Sequence, residues 1–388
     1  METDKACESC INEELKANGA CDQACTPQGR FPADLSCQES GCFSSGSSKA
    51  SILTSHMPAT PVGMDVKHSH LAASADKELD AHMFGMQENQ PGRCFYLEST
   101  QAHSGMTPEQ RAAAIDTMVA AAAALGLHSE SLFTAVACFD AYLAAQPTHV
   151  LLLQPLGIAC LWLAAKYEQL CVPSVRCFAQ FVRLPSDAPP ELQHNASAPQ
   201  QLLVLLEVRV LRTLDYNLAR IVTAKAFVHR SMQLLAAAMQ DSAEAEAEAA
   251  AGAADPAAAA DMQQQQQQQR RQQYSQLYWL TAYLAEASLL EYNLLPFKPS
   301  ELAAAAFAAA QLLLGLKSRE AALQCLTGHS LASLKLPMQW LLALQSALAA
   351  ARAAGRPYAV SEIYASPAAL YAADVAPLQS LNDPRLLA

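Results

Sequence analysis

Six of the 12 cysteines lie between Cys7 and Cys42, and their spacing is the feature of this chain most typical of metal chemistry. Cys7 and Cys10 form a CxxC pair, and Cys21 and Cys25 form a CxxxC pair. Four thiolates at these spacings can surround one zinc ion in a tetrahedral site. Neither pair is flanked by the apolar residues that usually pack a zinc module, so we expect free thiols in a disordered arm and keep zinc as the alternative.

Catalytic patterns are missing from the rest of the sequence. The 10 histidines are scattered along the chain, and no Gly-rich phosphate loop, HExxH pattern or Ser-His-Asp pattern appears. We therefore expect a protein that is not an enzyme and that needs no cofactor.

Composition predicts an all-α fold. The chain of 388 residues is 52% hydrophobic with only 14 glycines, and its long Ala and Leu runs favour helix. Alternation of apolar and polar residues, the mark of half-buried strands, is hard to find.

Charge and hydropathy narrow the classes of partner. A formal net charge of −11 argues against a nucleic-acid binder, because such proteins need a concentrated basic face. The most apolar segment, 150–165, is shorter than the roughly 20 residues that a membrane helix requires, and it contains Gln154 and Pro155. We interpret it as a buried helix and expect no membrane contact.

The first organised block begins at Thr107, which is followed by a proline at the first helical position and by Gln110 three residues later. This is a helix-capping pattern, and the helix should stop at Gly126. Further helices are predicted from Ser129 to before Pro147, over 149–169, from Pro173 to Val182, and after a loop at 184–198. That makes five helices in the segment 107–220.

Two segments of the chain, one before the first block and one within the second half, are predicted to lie outside a packed core. Residues 1–75 have no hydrophobic period and are predicted to be a disordered arm, followed by a short helix and linker at 76–106. A helix after Thr223 should run to about Met239. Residues 240–273 hold Ala-Glu repeats and seven glutamines at 263–269, and we expect an insertion in a surface loop, partly helical at most.

Four fragments of the first block resemble the cyclin box of the mitotic A- and B-type cyclins. They are QRAAAID at 110–116, SLFTAVACFDAYLA at 131–144, LWLAAKYEQ at 161–169 and LLEVRVLRTLDYNL at 205–218. Residues 283–314 and 327–335 are similar to the C-terminal repeat of the same family. The resemblance implies a cyclin fold of two five-helix repeats, with the cyclin box at 107–220 and the second repeat, carrying the insertion, at 221–388.

The resemblance also implies a function and a partner. It predicts a regulatory subunit that forms a heterodimer with a cyclin-dependent serine/threonine kinase and activates it during cell division, in the nucleus and cytoplasm. The alternative is a cyclin-fold scaffold that binds proteins without activating a kinase.

Specific residues follow from the match to the family. Lys166 and Glu207 correspond to the family's lysine and glutamate that hydrogen-bond around the movable helix of the kinase. Four further positions correspond to apolar contacts with the kinase or, alternatively, to ordinary core residues: Leu163, Tyr167, Tyr216 and Leu218. Arg111 and Asp140 correspond to a structural ion pair that ties the first helix of the box to the second.

One departure from the family concerns substrate docking. Mitotic cyclins usually carry MRAIL followed by VDW at the start of the first helix, an apolar patch that binds RxL peptides. This chain has QRAAAIDT at 110–117 instead, so the large apolar residues are replaced by Gln110, Ala113, Ala114 and Thr117. We expect the docking groove to be shallow or absent.

Overall fold

The computed structural model describes residues 70–88, 90, 95–183, 197–251, 256–316 and 320–377. These ranges hold α-helices and short 3-10 turns and contain no β-strand, which confirms the predicted all-α class. The helices, in chain order, are α1 His70–Glu88, α2 Pro108–Leu125, α3 Ser129–Ala145, α4 Leu153–Glu168, α5 Val175–Ala179, α6 Ala198–Thr213, α7 Ala224–Ala251, α8 Pro256–Ala287, α9 Pro299–Leu313, α10 Glu320–Thr327, α11 Leu331–Ala353 and α12 Ala359–Tyr364.

The first five-helix repeat, α2 to α6, is built around α4. This helix packs against α2, α3, α5 and α6, and from Leu156 to Leu161 every residue is buried. The stretch Val150–Glu168 is long and apolar enough to cross a membrane, but 61% of it lies inside the protein, as in the core helix of a soluble fold. Gly157 lets α4 approach α2 closely, because a Cβ there would meet Sδ of Met118 at 2.9 Å.

The boundaries of α2 follow the predicted signals. The Thr107 side chain accepts a hydrogen bond from the Gln110 backbone, and Gln110 Oε1 accepts one from the Thr107 N–H at 3.0 Å. This reciprocal arrangement satisfies two donors that the helix itself leaves unpaired. Gly126 ends the helix in the left-handed conformation, with φ of 66°, where a residue without Cβ is favoured.

The second five-helix repeat, α7 to α11, is built around α9. This helix packs against α7, α8 and α11, and the run from Ala303 to Ala310 is buried throughout, with Phe307 as its one large side chain. Short alanine side chains allow neighbouring helices to approach on several sides. The predicted fold of two five-helix repeats is therefore confirmed, with α1 before the repeats and α12 after them.

The prediction of a surface loop at 240–273 is wrong for most of this range. α7 continues to Ala251, and α8 begins at Pro256 and includes all seven glutamines. Alanine, glutamate and glutamine are good helix formers, so the two flanking helices extend through the low-complexity sequence without needing a core to pack on. Residues 264–269 are solvent-exposed along this extension.

Helix α1 begins at His70 rather than at Asp76 and packs on the second repeat. Asp80 forms an ion pair with Arg230 of α7 at 2.7 Å, and Gln87 Oε1 accepts a hydrogen bond from the Ser300 N–H at 3.1 Å. The Phe84 ring lies 5.3 Å from the ring of Phe227. Residues 1–69, with the four candidate zinc ligands, lie outside the described residues, so the disordered arm and its thiols stay predictions.

We expect His329 to make the fold less stable in mild acid. Its ring nitrogen lies 3.0 Å from Ser300 Oγ beside Phe84, and burial lowers the pKa of this imidazole below 6.5. The unfolded chain then takes up a proton at higher pH than the folded chain does, so stability is lost as pH falls through 6.5 towards the folded pKa. Urea midpoints measured from about pH 7 to pH 5 should fall more steeply for the wild type than for His329→Gln. Equal slopes would contradict this assignment.

Candidate partner-binding surface

The end of α4 and the middle of α6 bring two predicted site residues together. Lys166 Nζ and a Glu207 carboxylate oxygen form an ion pair, in which the lysine side chain is 35% exposed and the glutamate side chain 13% exposed. The Lys166 ammonium also lies 3.7 Å from the centre of the Trp162 ring, one turn earlier in α4. A cation over an indole face gains further electrostatic stabilisation. Both charges are thus held in place, yet remain within reach of solvent.

Two side-chain hydrogen bonds fix the last turn of α4 against α3. The Thr134 hydroxyl donates to Glu168 Oε1 at 2.9 Å, and Gln169 Nε2 donates to Ser131 Oγ at 2.9 Å. Glu168 and Gln169 therefore anchor the helix end, which leaves Lys166 and Tyr167 to face outward.

Two of the predicted aromatic contact residues are exposed. Tyr167 is 53% exposed and Tyr216 is 64% exposed. Tyr216 follows the end of α6 in a turn where Asp215 and Tyr216 both have positive φ, of 51° and 56°. Left-handed backbone at two successive non-glycine residues is costly and persists only where the surroundings enforce it. Here the Tyr216 N–H donates to Leu211 O at 2.8 Å, and the turn projects the phenol into solvent.

The other two predicted apolar contacts lie in the core. Leu163 and Leu218 are each only 6% exposed and belong to the main hydrophobic cluster. Their placement matches the core-packing alternative that the sequence left open. Leu163 and Leu218 therefore pack in the core beneath the exposed residues and do not contribute to the exposed surface.

Two exposed apolar residues of this region were missed in the sequence. Leu170, just after α4, is fully exposed, and Val204, one turn before Glu207 on α6, is 45% exposed. Exposed apolar side chains that are grouped together are typical of an interaction site, and these two lie within four residues of Lys166 or Glu207 in the sequence. We define the α4–α6 surface as Lys166, Tyr167, Leu170, Val204, Glu207 and Tyr216.

Arg111 and Asp140 lie away from this surface and form a buried, two-pronged ion pair. Arg111 Nε and one terminal nitrogen donate to the two Asp140 oxygens at 2.8 and 2.7 Å, and the arginine is 1% exposed. The Tyr96 hydroxyl donates to the same carboxylate at 2.8 Å. The guanidinium also donates to the Leu289 carbonyl at 2.9 Å, so the pair joins the second repeat to the first.

Sequence analysis did not find the part played by Tyr96. Burial, followed by the Asp140 carboxylate, raises the pKa of the Tyr96 phenol well above its usual range. The phenol therefore stays protonated and serves as a hydrogen-bond donor. Its ring packs edge-on against Tyr292 at 5.3 Å, which brings the segment before α2 into the same cluster.

We expect no measurable binding of an RxL peptide, because the first turns of α2 offer no large apolar side chain to hold it. Gln110 is engaged in the helix cap, and the Thr117 hydroxyl bonds back to the Ala113 carbonyl at 3.0 Å. Arg111, Ala114 and Ile115 are buried. Fluorescence polarisation with a labelled RxL peptide should show no saturable binding to the isolated protein, and saturable binding would contradict the expectation.

No metal site is apparent among the residues that the structure describes. In that part of the chain, no three His, Cys, Asp or Glu side chains are grouped so that they could hold an ion. Cys138 and Cys160 are buried among apolar residues of α3 and α4.

Comparison with known proteins links this fold to one family. Residues 81–219 match the Cyclin, N-terminal domain, and residues 261–378 match the Cyclin, C-terminal domain. Cyclin-A1-2 of Oryza sativa subsp. japonica is 28% identical over 244 residues, which is 63% of this chain and 42% of the relative. G2/mitotic-specific cyclin-B2 of Oryzias latipes is 26% identical over 250 residues, 64% of this chain and 51% of the relative. The chain spans about half the length of these relatives.

A solved viral cyclin from herpesvirus saimiri is also similar in structure. Its TM-score is 0.47 at 15% sequence identity, over 70% of this chain and 96% of the viral chain.

Proposed function

Because this chain belongs to the cyclin family, we propose that it is the regulatory subunit of a cyclin-dependent serine/threonine protein kinase. It binds the kinase as a heterodimer and activates it, and it has no catalytic activity of its own. The observation that carries the proposal is the α4–α6 surface, where a held but solvent-accessible charge pair is flanked by exposed Tyr167, Leu170, Val204 and Tyr216.

The charged groups of this surface can bind the end of a helix in a partner protein. A helix leaves its first N–H groups and last C=O groups without partners. A carboxylate accepts from such N–H groups and an ammonium donates to such carbonyls through charge-assisted hydrogen bonds. Glu207 and Lys166 supply one of each, and the apolar residues around them exclude water from the contact. Holding the movable helix of the kinase places the glutamate of its Lys-Glu pair, which orients the ATP phosphates.

The mitotic names of the relatives support a role in cell division, and we propose action in the nucleus and the cytoplasm. The replaced docking patch on α2 favours a second candidate, a cyclin-fold scaffold that binds proteins without activating a kinase. The two candidates differ in one measurable property, which is kinase activity in the complex.

The experiment is capture of kinases from a eukaryotic extract on immobilised full-length chain, followed by phosphorylation of a histone substrate. We expect recovery of an active cyclin-dependent kinase. Recovery of other proteins, with no kinase activity above that of beads alone, would favour the scaffold.

A further inference from the structure

A cavity of about 90 Å³ lies where the two repeats meet, and none of its lining residues belongs to the α4–α6 surface. The end of α2 and the start of α3 form one side, and α7, α8 and α12 form the other. Much of the wall is apolar, with Leu132, Trp279 and Ile363 among its residues. Since one water molecule needs roughly 10–15 Å³ of such space, the cavity has room for about six to nine non-hydrogen atoms.

The cavity contains a buried lysine without a partner. Lys225 is 4% exposed, and among the described residues its ammonium makes neither a hydrogen bond nor an ion pair. The ammonium lies over the face of the Tyr278 ring, 5.8 Å from the ring centre. An ammonium that lines a cavity and has no acceptor in the protein is free to donate hydrogen bonds to an anionic group bound there.

A buried carboxylate lines the same cavity. Glu286 is 6% exposed, and one of its oxygens accepts a hydrogen bond from the Tyr364 hydroxyl at 3.0 Å. Burial raises the pKa of Glu286, and nearby Lys225 opposes that rise, so the two groups act on each other electrostatically. They nevertheless form no ion pair with each other in the described structure. The cavity thus holds two opposite charges that are left apart.

The charges restrict the chemistry of an occupant. A purely anionic ligand would face Glu286 and also Glu362, which stands at the rim. A purely cationic ligand would face Lys225. A group with both charges on adjacent atoms places its carboxylate against Lys225 and its ammonium against Glu286, and its side chain then meets the apolar wall.

We propose that this cavity is a binding site for a free α-amino acid with an apolar side chain, held by Lys225 and Glu286. The zwitterionic head has five non-hydrogen atoms, so a side chain of up to about four carbons, as in leucine, completes the space available. The site uses none of the residues of the α4–α6 surface, so the inference stands independently of the proposed function.

The test is isothermal titration calorimetry of the full-length protein with L-leucine and two analogues that each lack one charge. 3-Methylbutylamine keeps the ammonium, and 4-methylpentanoate keeps the carboxylate. We expect saturable binding of L-leucine and binding at least about tenfold weaker for each analogue, the loss typical of one hydrogen bond to a charged group. No binding of L-leucine, or equal binding of either analogue, would overturn the proposal.

Substitutions of the two charged cavity residues test whether L-leucine binds in the cavity. Lys225→Met and Glu286→Gln should each weaken L-leucine binding at least about tenfold, whereas Lys335→Met, at an exposed position of α11, should not change it. Circular dichroism checks that each variant keeps the helical fold of the wild type. If Lys225→Met does not fold, the affinity of Glu286→Gln for L-leucine decides. If either variant is folded and binds L-leucine with wild-type affinity, the assignment of L-leucine binding to this cavity is overturned.

Discussion

Arg111→Ala is expected to destabilise the protein by about 3–5 kcal/mol, the usual cost of removing one partner from a buried ion pair. The substitution leaves the Asp140 carboxylate buried, with the Tyr96 hydroxyl as its remaining side-chain donor. It also leaves the Leu289 carbonyl without its guanidinium partner. Since domains of this kind are stable by only about 5–15 kcal/mol, a large part of the protein should be unfolded in mild urea.

Urea denaturation followed by circular dichroism measures the loss. The matched control is Arg352→Ala, which breaks the Arg352–Asp374 pair, whose side chains are 37% and 43% exposed. Exposed pairs contribute about 0–1 kcal/mol, so the control should unfold near the wild-type midpoint. Arg111→Lys keeps the charge but loses the two-pronged geometry. Its urea midpoint should lie between those of Arg111→Ala and the control. An Arg111→Ala midpoint equal to that of the control would contradict the structural role of the buried pair.

Lys166→Ala with Glu207→Ala is expected to weaken kinase binding by at least about 30-fold while the protein stays folded. Truncating charged groups that become buried and hydrogen-bonded in an interface costs roughly 2 kcal/mol or more. Since both partners of this partly exposed pair are removed together, no charge is left unpaired, and the melting temperature should change little. Surface plasmon resonance with an immobilised cyclin-dependent kinase measures the affinity.

Glu320→Ala with Lys335→Ala is the matched control, because it removes one charge of each sign at exposed positions of α10 and α11. This control should bind the kinase with wild-type affinity. If the Lys166 and Glu207 double variant binds as tightly as the control, the α4–α6 surface does not hold the kinase.

Local signals in the sequence are enough to place α2. Thr107, Gln110 and Gly126 act through neighbouring backbone groups, so their effect does not depend on the rest of the fold. The insertion was mispredicted for the opposite reason. Low-complexity sequence with little to pack against predicts a surface loop at 240–273, but alanine and glutamine propensity alone extends the adjoining helices.

The α4–α6 surface is harder to predict from the sequence, because the exposure of each side chain depends on how the helices pack together. Lys166 and Glu207 were found from the family resemblance, but periodicity could not separate exposed Tyr167 from buried Leu163 in a helix that is apolar almost throughout. Leu170 and Val204 resemble core residues in the sequence and are seen to be exposed only once α4 and α6 are packed. The Tyr96 contact with Asp140 joins distant segments and carries no local signal.

The most direct test of kinase activation by this chain is a titration of the purified chain into a purified, monomeric cyclin-dependent kinase. The rate of substrate phosphorylation should rise from near zero and saturate at one chain per kinase, as expected if the α4–α6 surface orders the movable helix. A rate that stays at its basal level across a panel of such kinases, while the chain remains folded, would contradict the claim.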